Sequence, residues 1–156
     1  MEKSFQSIEE EYRYVYDLAL RLLTRRAHGE AELIAKLRLR HNSMAAIEPA
    51  LQRCRELNYL NDARFAEDRL RSRLTNRGWG PIRARLELRS LGICPETIDI
   101  AMEQVMAEVD LVTLAAGVLE RRFSPAPRPL SLKERKRRQA FLFRRGFDHE
   151  TIACVV

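Results

Sequence analysis

The stretch Arg77-Gly78-Trp79-Gly80-Pro81 lies between two helical patterns and decides how the chain folds. Before it, apolar residues at i, i+4 spacing predict a helix with one buried face, and Asp62 is the expected N-cap of that helix. Gly78 supplies a left-handed residue that ends this helix, and Pro81 suits the first position of the next. Pro95 predicts the start of a third helix in the same way. A unit of ~45 residues buries little apolar surface by itself, so it should pack against neighbours.

The rest of the sequence supplies those neighbours as internal repeats. The same apolar positions recur in three copies, at shifts of 51 and then 54 positions, and form two columns: Leu37, Leu88 and Leu142, and Ile47, Ile98 and Ile152. Helical spacing, with only 7% aromatic residues, indicates an all-α fold of three tandem three-helix repeats forming an elongated, curved single domain. We expect a tail over residues 1–8 and repeats over residues 9–60, 61–106 and 107–156.

Local signals bear on several helix boundaries. Pro49 falls inside the third predicted helix, which either starts after a Ser43 cap and kinks, or starts at Glu48 with the proline at its first position. The segment Ser124–Pro129 is rich in proline and should be an exposed, extended loop. The run Ser131-Leu132-Lys133-Glu134 has the spacing of a capping box and predicts a helix start.

Composition argues against several classes of protein. No stretch reaches the ~18 apolar residues of a membrane span, and the acidic N-terminus lacks the features of a signal peptide, so we expect a cytoplasmic protein. Three cysteines without a CxxC pair and three scattered histidines predict neither disulfides nor a metal site. No phosphate-binding loop and no paired catalytic acid and base are present. We therefore expect a monomer that is not an enzyme and needs no cofactor.

Charge carries the strongest indication of function. The net charge is +6, and 24 of the 28 basic residues are arginine, a side chain suited to bidentate contact with phosphate and carboxylate. Two groups stand out, which we call the basic row (Arg69, Arg73, Arg77) and the basic half-helix (Lys133, Lys136, Arg137). The full set of candidate residues for contact with a partner or nucleic acid is Arg25, Arg26, Arg69, Arg73, Arg77, Lys133, Lys136 and Arg137.

The basic row and its neighbouring tryptophan each have two interpretations. Like charges at i, i+4 spacing cost an isolated helix about 0.3 kcal/mol per pair. The row is either a solvated face, balanced by Glu67, Asp68 and neighbouring acids, or a contact surface for nucleic acid or an acidic partner. Trp79 either stacks on a base or packs as a hydrophobic staple on its own repeat, and we favour packing.

Four segments carry a resemblance to a known family. The runs Leu57–Ala66, Arg77–Pro81, Gly92-Ile93 and Phe141–Phe147 resemble the signature of the RecX regulatory family, and the likeness extends over residues 12–156. It implies three tandem three-helix repeats that bind the RecA recombinase filament and restrain it. The sequence departs from the family pattern at Gly29, where Ser or Thr is usual, and at Pro49. Either departure would loosen the first repeat.

The resemblance implies a specific function and leaves two alternatives. We expect a regulatory protein that binds the RecA filament, inhibits its ATPase and strand exchange, and so modulates recombination, DNA repair and the SOS response. Its basic faces would contact single- or double-stranded DNA. One alternative is a DNA-binding regulator of the helix-turn-helix kind, because tight glycine turns join the helices. The other is a helical scaffold for a different acidic partner.

Overall fold

The computed structural model describes residues 5–40, 42–125 and 129–156, and these ranges form nine α-helices and no strand. The helices are α1 (Ile8–Arg25), α2 (Glu30–Arg38), α3 (Met44–Glu56), α4 (Asp62–Thr75), α5 (Pro81–Ser90), α6 (Pro95–Glu108), α7 (Leu111–Arg122), α8 (Leu132–Arg145) and α9 (His149–Val155). They group into unit 1 (α1–α3), unit 2 (α4–α6) and unit 3 (α7–α9). Within every unit the first and third helices pack together and the second contacts both. The all-α repeat fold is confirmed.

Each unit has its own apolar core. The three buried clusters fall within units 1, 2 and 3, and the two repeat columns lie inside them. Leu37, Leu88 and Leu142 are fully buried, as the repeat alignment predicted. This leucine therefore marks the inward face of the second helix in all three units.

The start of α4 differs from the prediction. Asn61, not Asp62, is its N-cap, and the Asn61 side chain accepts the Arg64 N–H at 3.0 Å. Asp62 turns instead to unit 1, where it accepts the Glu30 N–H at 2.8 Å. It thereby caps α2, whose own N-cap is Gly29 and has no side chain to do so. Burial raises the pKa of the Asp62 carboxyl, although the hydrogen bond from Glu30 opposes this.

Of the two predicted starts for α3, the structure has the earlier one. The Ser43 side chain accepts the Ala46 N–H at 3.3 Å, and its own N–H and hydroxyl donate to Glu11 at 2.6 and 2.9 Å. A start just before Pro49 is wrong, because the helix runs through this residue. Pro49 and Ala45 are both exposed, so water can reach the Ala45 carbonyl that lacks its helical donor.

Units 2 and 3 meet through backbone atoms. The N–H groups of Gly80 and Ile82, at the start of α5, donate to the carbonyls of Arg145 and Gly146 at 2.7 and 3.1 Å. A Cβ atom at Gly80 would overlap the Gly146 backbone. Gly146 itself has φ of 89°, a conformation that favours glycine. This close approach leaves no room for a side chain at either position.

Units 1 and 2 meet through the equivalent positions. A Cβ atom at Gly92 would lie 2.6 Å from the Ala31 Cβ, and one at Gly29 would lie 2.9 Å from the Ile93 side chain. In both junctions the start of a second helix therefore packs against the glycine turn of the following unit. The repetition of this contact joins the three units into one row.

Two predicted segments fall partly outside the described residues. Residues 126–128 of the proline-rich segment are not described, while Ser124, Pro125 and Pro129 are exposed. Residues 1–4 of the N-terminal tail are likewise outside, and Ser7 caps α1 by accepting the Glu10 N–H at 3.1 Å. No helix in the described ranges is long and apolar enough to cross a membrane.

Candidate partner and nucleic-acid interface

Arg69 and Arg73 of the basic row lie on α4 and share one carboxylate, whereas Arg77 lies beyond Thr75, the last residue of that helix. Arg73 donates to both oxygens of Glu87, at 2.6 Å each, and Arg69 donates to the same two oxygens at 3.0 and 3.3 Å. The Glu87 and Arg73 side chains are only 17% and 16% exposed, and Arg69 is 30% exposed. The hydrogen bonds from Arg73, and then those from Arg69, lower the pKa of Glu87. One acid on α5 thus neutralises half of the charge of these two arginines.

The balancing acid differs from those that the sequence suggested. Glu67 and Asp68 interact instead with Arg71, at 3.5 and 3.8 Å. Arg71 also forms a bidentate pair with Glu108, with both distances at 3.1 Å. Sequence reasoning missed Glu87 because it lies on a different helix, 14 residues beyond Arg73.

Arg77 completes the row in a different environment. It is exposed, and its side chain has no ion pair within the described part of the chain. Its carbonyl accepts a hydrogen bond from Arg145 of unit 3 at 2.7 Å. The segment is therefore anchored through its backbone, while the guanidinium is available to a ligand.

Trp79 packs within its own unit, beneath cations. The Arg83 guanidinium lies 4.1 Å from the centre of the indole ring, and that of Arg73 lies 5.0 Å away. These distances suit cation–π contact. Trp79 thus contacts residues of its own repeat, as we favoured, but these contacts are to arginines, and Trp79 is not among the side chains packed against the apolar core of unit 2, so the hydrophobic staple stays a prediction. Sequence reasoning did not select Arg83, even though its position four residues after Trp79 was a usable signal.

The candidates in unit 1 lie at the C-terminal end of α1. Arg26 forms a bidentate ion pair with Glu32, while Arg25 is exposed and has no ion pair among the described residues. Burial alone would raise the pKa of Glu32, but the hydrogen bonds and charge of Arg26 outweigh it and the pKa is lowered. Lys36 also approaches Glu32, at 3.3 Å. Beside them His28 is buried, and burial lowers its pKa.

The basic half-helix occupies the first half of α8. Lys133 and Lys136 are exposed and form no ion pair with other described residues. Arg137 is 60% exposed; it lies 3.7 Å from Glu134 and its guanidinium is 5.1 Å from the centre of the Phe123 ring. Ser131 caps this helix by accepting the Glu134 N–H at 3.2 Å, as the capping-box spacing predicted.

The candidate residues thus fall into three groups, one on each unit. Four have no ion-pair partner in the part of the chain that the structure describes: Arg25, Arg77, Lys133 and Lys136. The other four are held by acids of their own unit. In the described ranges no group of three or more His, Cys, Asp and Glu side chains is placed to hold a metal ion.

These features define a class of protein: a helical repeat protein that presents arginine and lysine on successive units. Family models match the chain over three consecutive segments: the first RecX three-helix domain over residues 16–54, the second over 61–102 and the third over 108–156. The chain belongs to the RecX family of regulatory proteins. Its role is accordingly regulatory.

Relatives and solved structures agree with this assignment. The regulatory protein RecX of Halorhodospira halophila (strain DSM 244 / SL1) is 42% identical over 138 residues, which cover 88% of this chain and 83% of that protein. That of Legionella pneumophila (strain Corby) is 36% identical over 140 residues, 90% and 91% of the two chains. A crystal structure of regulatory protein RecX superposes with a TM-score of 0.78 at 25% identity, covering 94% of this chain and 73% of the other.

Proposed function

We propose that this chain binds the filament of the RecA recombinase as a monomer and inhibits its ATPase and strand-exchange activities in the cytoplasm. The observation that carries the proposal is that all three RecX domains are present and are joined in one row by repeated junctions. Exposed cations on every unit support it, because they give the row several separate points of attachment.

The proposed mechanism is steric and electrostatic. A row of units that lies along a helical filament contacts more than one RecA subunit. Each contact is weak alone, but contacts in series raise the effective concentration of the next one and give avidity. A chain bound in this way opposes the rearrangements that ATP turnover and strand exchange require.

Within this proposal the eight candidate residues form two groups, according to whether an acid of the chain already pairs with them. Arg25, Arg77, Lys133 and Lys136 are the cations that contact DNA or an acidic face of the filament first, because no described acid competes for them. Arg26, Arg69, Arg73 and Arg137 contribute where a ligand displaces or supplements their acids. We extend the proposal to single-stranded DNA, whose phosphates such cations neutralise.

A sequence-specific DNA-binding regulator remains the alternative from another class, but α6 argues against it. In three-helix DNA-binding domains the third helix enters the major groove. The exposed positions of α6 include Glu96 and Glu103, which have no ion pair among the described residues and would repel phosphate. The remaining alternative is a scaffold for an unrelated acidic protein. Absence of any contact with the recombinase would favour it over the proposed function.

The test is the DNA-dependent ATPase of RecA with increasing amounts of this chain. Inhibition well below one molecule per RecA subunit would favour capping or destabilisation of filaments. Inhibition only near equal amounts would favour occupancy of the filament groove. If ATPase, filament length and strand exchange are all unaffected, the proposal is wrong.

A further inference from the structure

Unit 3 carries an apolar groove between α8 and α9. Its volume is about 590 Å³, within the range of sites that hold a ligand side chain or small molecule. Ala140 and Phe143 line it from α8, and Ile152 and Ala153 line it from α9. Phe143 is 58% exposed, although its ring lies 5.6 Å from that of His149. An aromatic ring at this exposure adds little to the core.

The repeat alignment indicates that the core does not require this groove. At the shift of 54, Gln139 and Ala153 occupy the positions of Arg85 and Asp99 in unit 2. There an Arg85–Asp99 ion pair bridges α5 and α6. Phe143 likewise occupies the position of an arginine in unit 2. Unit 3 has therefore lost the bridging charges and gained an exposed ring at the same place.

The charges around the groove are mainly positive. Lys136 lines it, and Lys133 lies about one turn earlier on the same helix. Nearby acids are engaged, since Glu134 pairs with Arg138 at 3.1 Å and Asp148 accepts the Thr151 N–H at 2.7 Å. Glu150, next to the lining residue His149, is exposed; like Lys133 it does not line the groove, so the three side chains Lys133, Lys136 and Glu150 carry a net charge of +1. An apolar floor with a cationic rim complements an acidic ligand that carries an apolar anchor.

We propose that this groove binds an acidic segment of a partner protein, with a large apolar side chain against Phe143 and Ile152 and carboxylates facing Lys133 and Lys136. Helical segments commonly dock in such grooves through apolar anchors one turn apart. The small aliphatic side chains Ala140, Ile152 and Ala153 suit an apolar anchor, and a nucleic acid whose bases stack on the rings of Phe143 and His149 is the other outcome that the test distinguishes. The inference goes beyond the proposed function and does not rest on it.

The probe is a fluorescent peptide of about 14 residues, with Leu and Phe four positions apart, three Glu that are not three or four positions from one another, and Ala elsewhere to favour a helix. A matched peptide carries Lys in place of Glu, and an oligo-dT strand serves as the nucleic-acid probe. Binding to the full chain is measured by fluorescence anisotropy. Phe143→Ser should weaken binding of the acidic peptide about tenfold or more. Leu86→Ser, at a 56% exposed position on unit 2, should leave it unchanged.

A second variant closes the groove without removing the ring. Gln139→Arg combined with Ala153→Asp restores the ion pair of unit 2 at no change in net charge, and it should weaken the peptide to a similar extent. If Phe143→Ser does not fold, this variant still tests whether the groove binds the peptide. The proposal is overturned if the acidic peptide binds no more tightly than the basic one, or if the groove variants bind it as the wild type does. It is also overturned if the groove variants bind oligo-dT more weakly than the wild type does but bind the acidic peptide equally well.

Discussion

Glu87→Gln is the substitution that most clearly separates the charge of unit 2 from its fold. The carboxylate accepts four hydrogen bonds from Arg69 and Arg73, at 2.6 to 3.3 Å. Glutamine keeps the size of the side chain and one acceptor oxygen but removes the negative charge. The substitution therefore releases two cations on the surface of α4 while leaving the apolar core of unit 2 in place.

We expect the substitution to lower the stability of the chain and to raise its affinity for DNA. Hydrogen bonds to charged groups contribute about 1.5–3 kcal/mol, so the free energy of unfolding at neutral pH should fall by about that amount. Affinity for single-stranded DNA should rise, because each freed cation that neutralises a phosphate steepens the dependence of log affinity on log salt by about 0.7, or about 1.4 for two.

The assay is binding of an oligo-dT strand between about 50 and 200 mM salt, where the phosphate term changes strongly. Glu103→Gln is the matched control, because Glu103 is exposed, has no ion pair among the described residues and carries the same charge. If the two variants have the same salt slope, Glu87 does not restrain the arginines and the reasoning is wrong.

The pH dependence of stability gives an independent check on the same carboxylate. Its pKa is lowered in the folded state, so its contribution is complete above the unfolded value of about 4.3 and is lost as pH falls through the lower folded value. Wild-type stability should therefore decline with acid in this range more steeply than that of Glu87→Gln. Equal slopes would contradict the lowered pKa.

Three further predictions concern the core, the junction and the basic row. Leu88→Ala should lower the free energy of unfolding by about 2–5 kcal/mol, because Leu88 is fully buried, whereas Leu86→Ala at an exposed position should cost under about 0.5 kcal/mol by urea unfolding. Gly80→Ala should destabilise the chain in thermal unfolding because its Cβ overlaps Gly146, while Gly117→Ala, with open space around it, should stabilise by about 0.5–1 kcal/mol. Replacing the basic row with glutamine should reduce the slope of log affinity against log salt for DNA by at most about 2, and it should weaken inhibition of RecA. If inhibition is unchanged, the basic row is a solvated face and does not contact the partner.

Repetition made most of the fold predictable. One alignment of apolar columns identified the inner faces of the second and third helices in all three units, because each unit solves the same packing problem. The glycines at Gly78, Gly92 and Gly146 marked turns correctly, since all three have positive φ. These signals are local or periodic, and such signals can be recognised in a single sequence.

Contacts between units were not predictable in the same way. Asp62 was predicted to cap its own helix, but it caps α2, which lies 32 residues earlier in the sequence. That cap is needed because the backbone N–H of Glu30, at the start of α2, requires an acceptor. Its repeat equivalent Pro81 has no N–H and needs none. Glu87 was missed for the same reason, because sequence spacing identifies neighbours along one helix and not across two.

Co-sedimentation measures binding of this chain to the RecA filament most directly. RecA is assembled on single-stranded DNA with a slowly hydrolysed ATP analogue, and the chain is added over a range of concentrations. We predict that it pellets with the filaments to saturation and to a greater extent than with the same DNA lacking RecA. If it stays in the supernatant, or pellets equally with DNA alone, the chain does not recognise the filament and the proposed function is wrong.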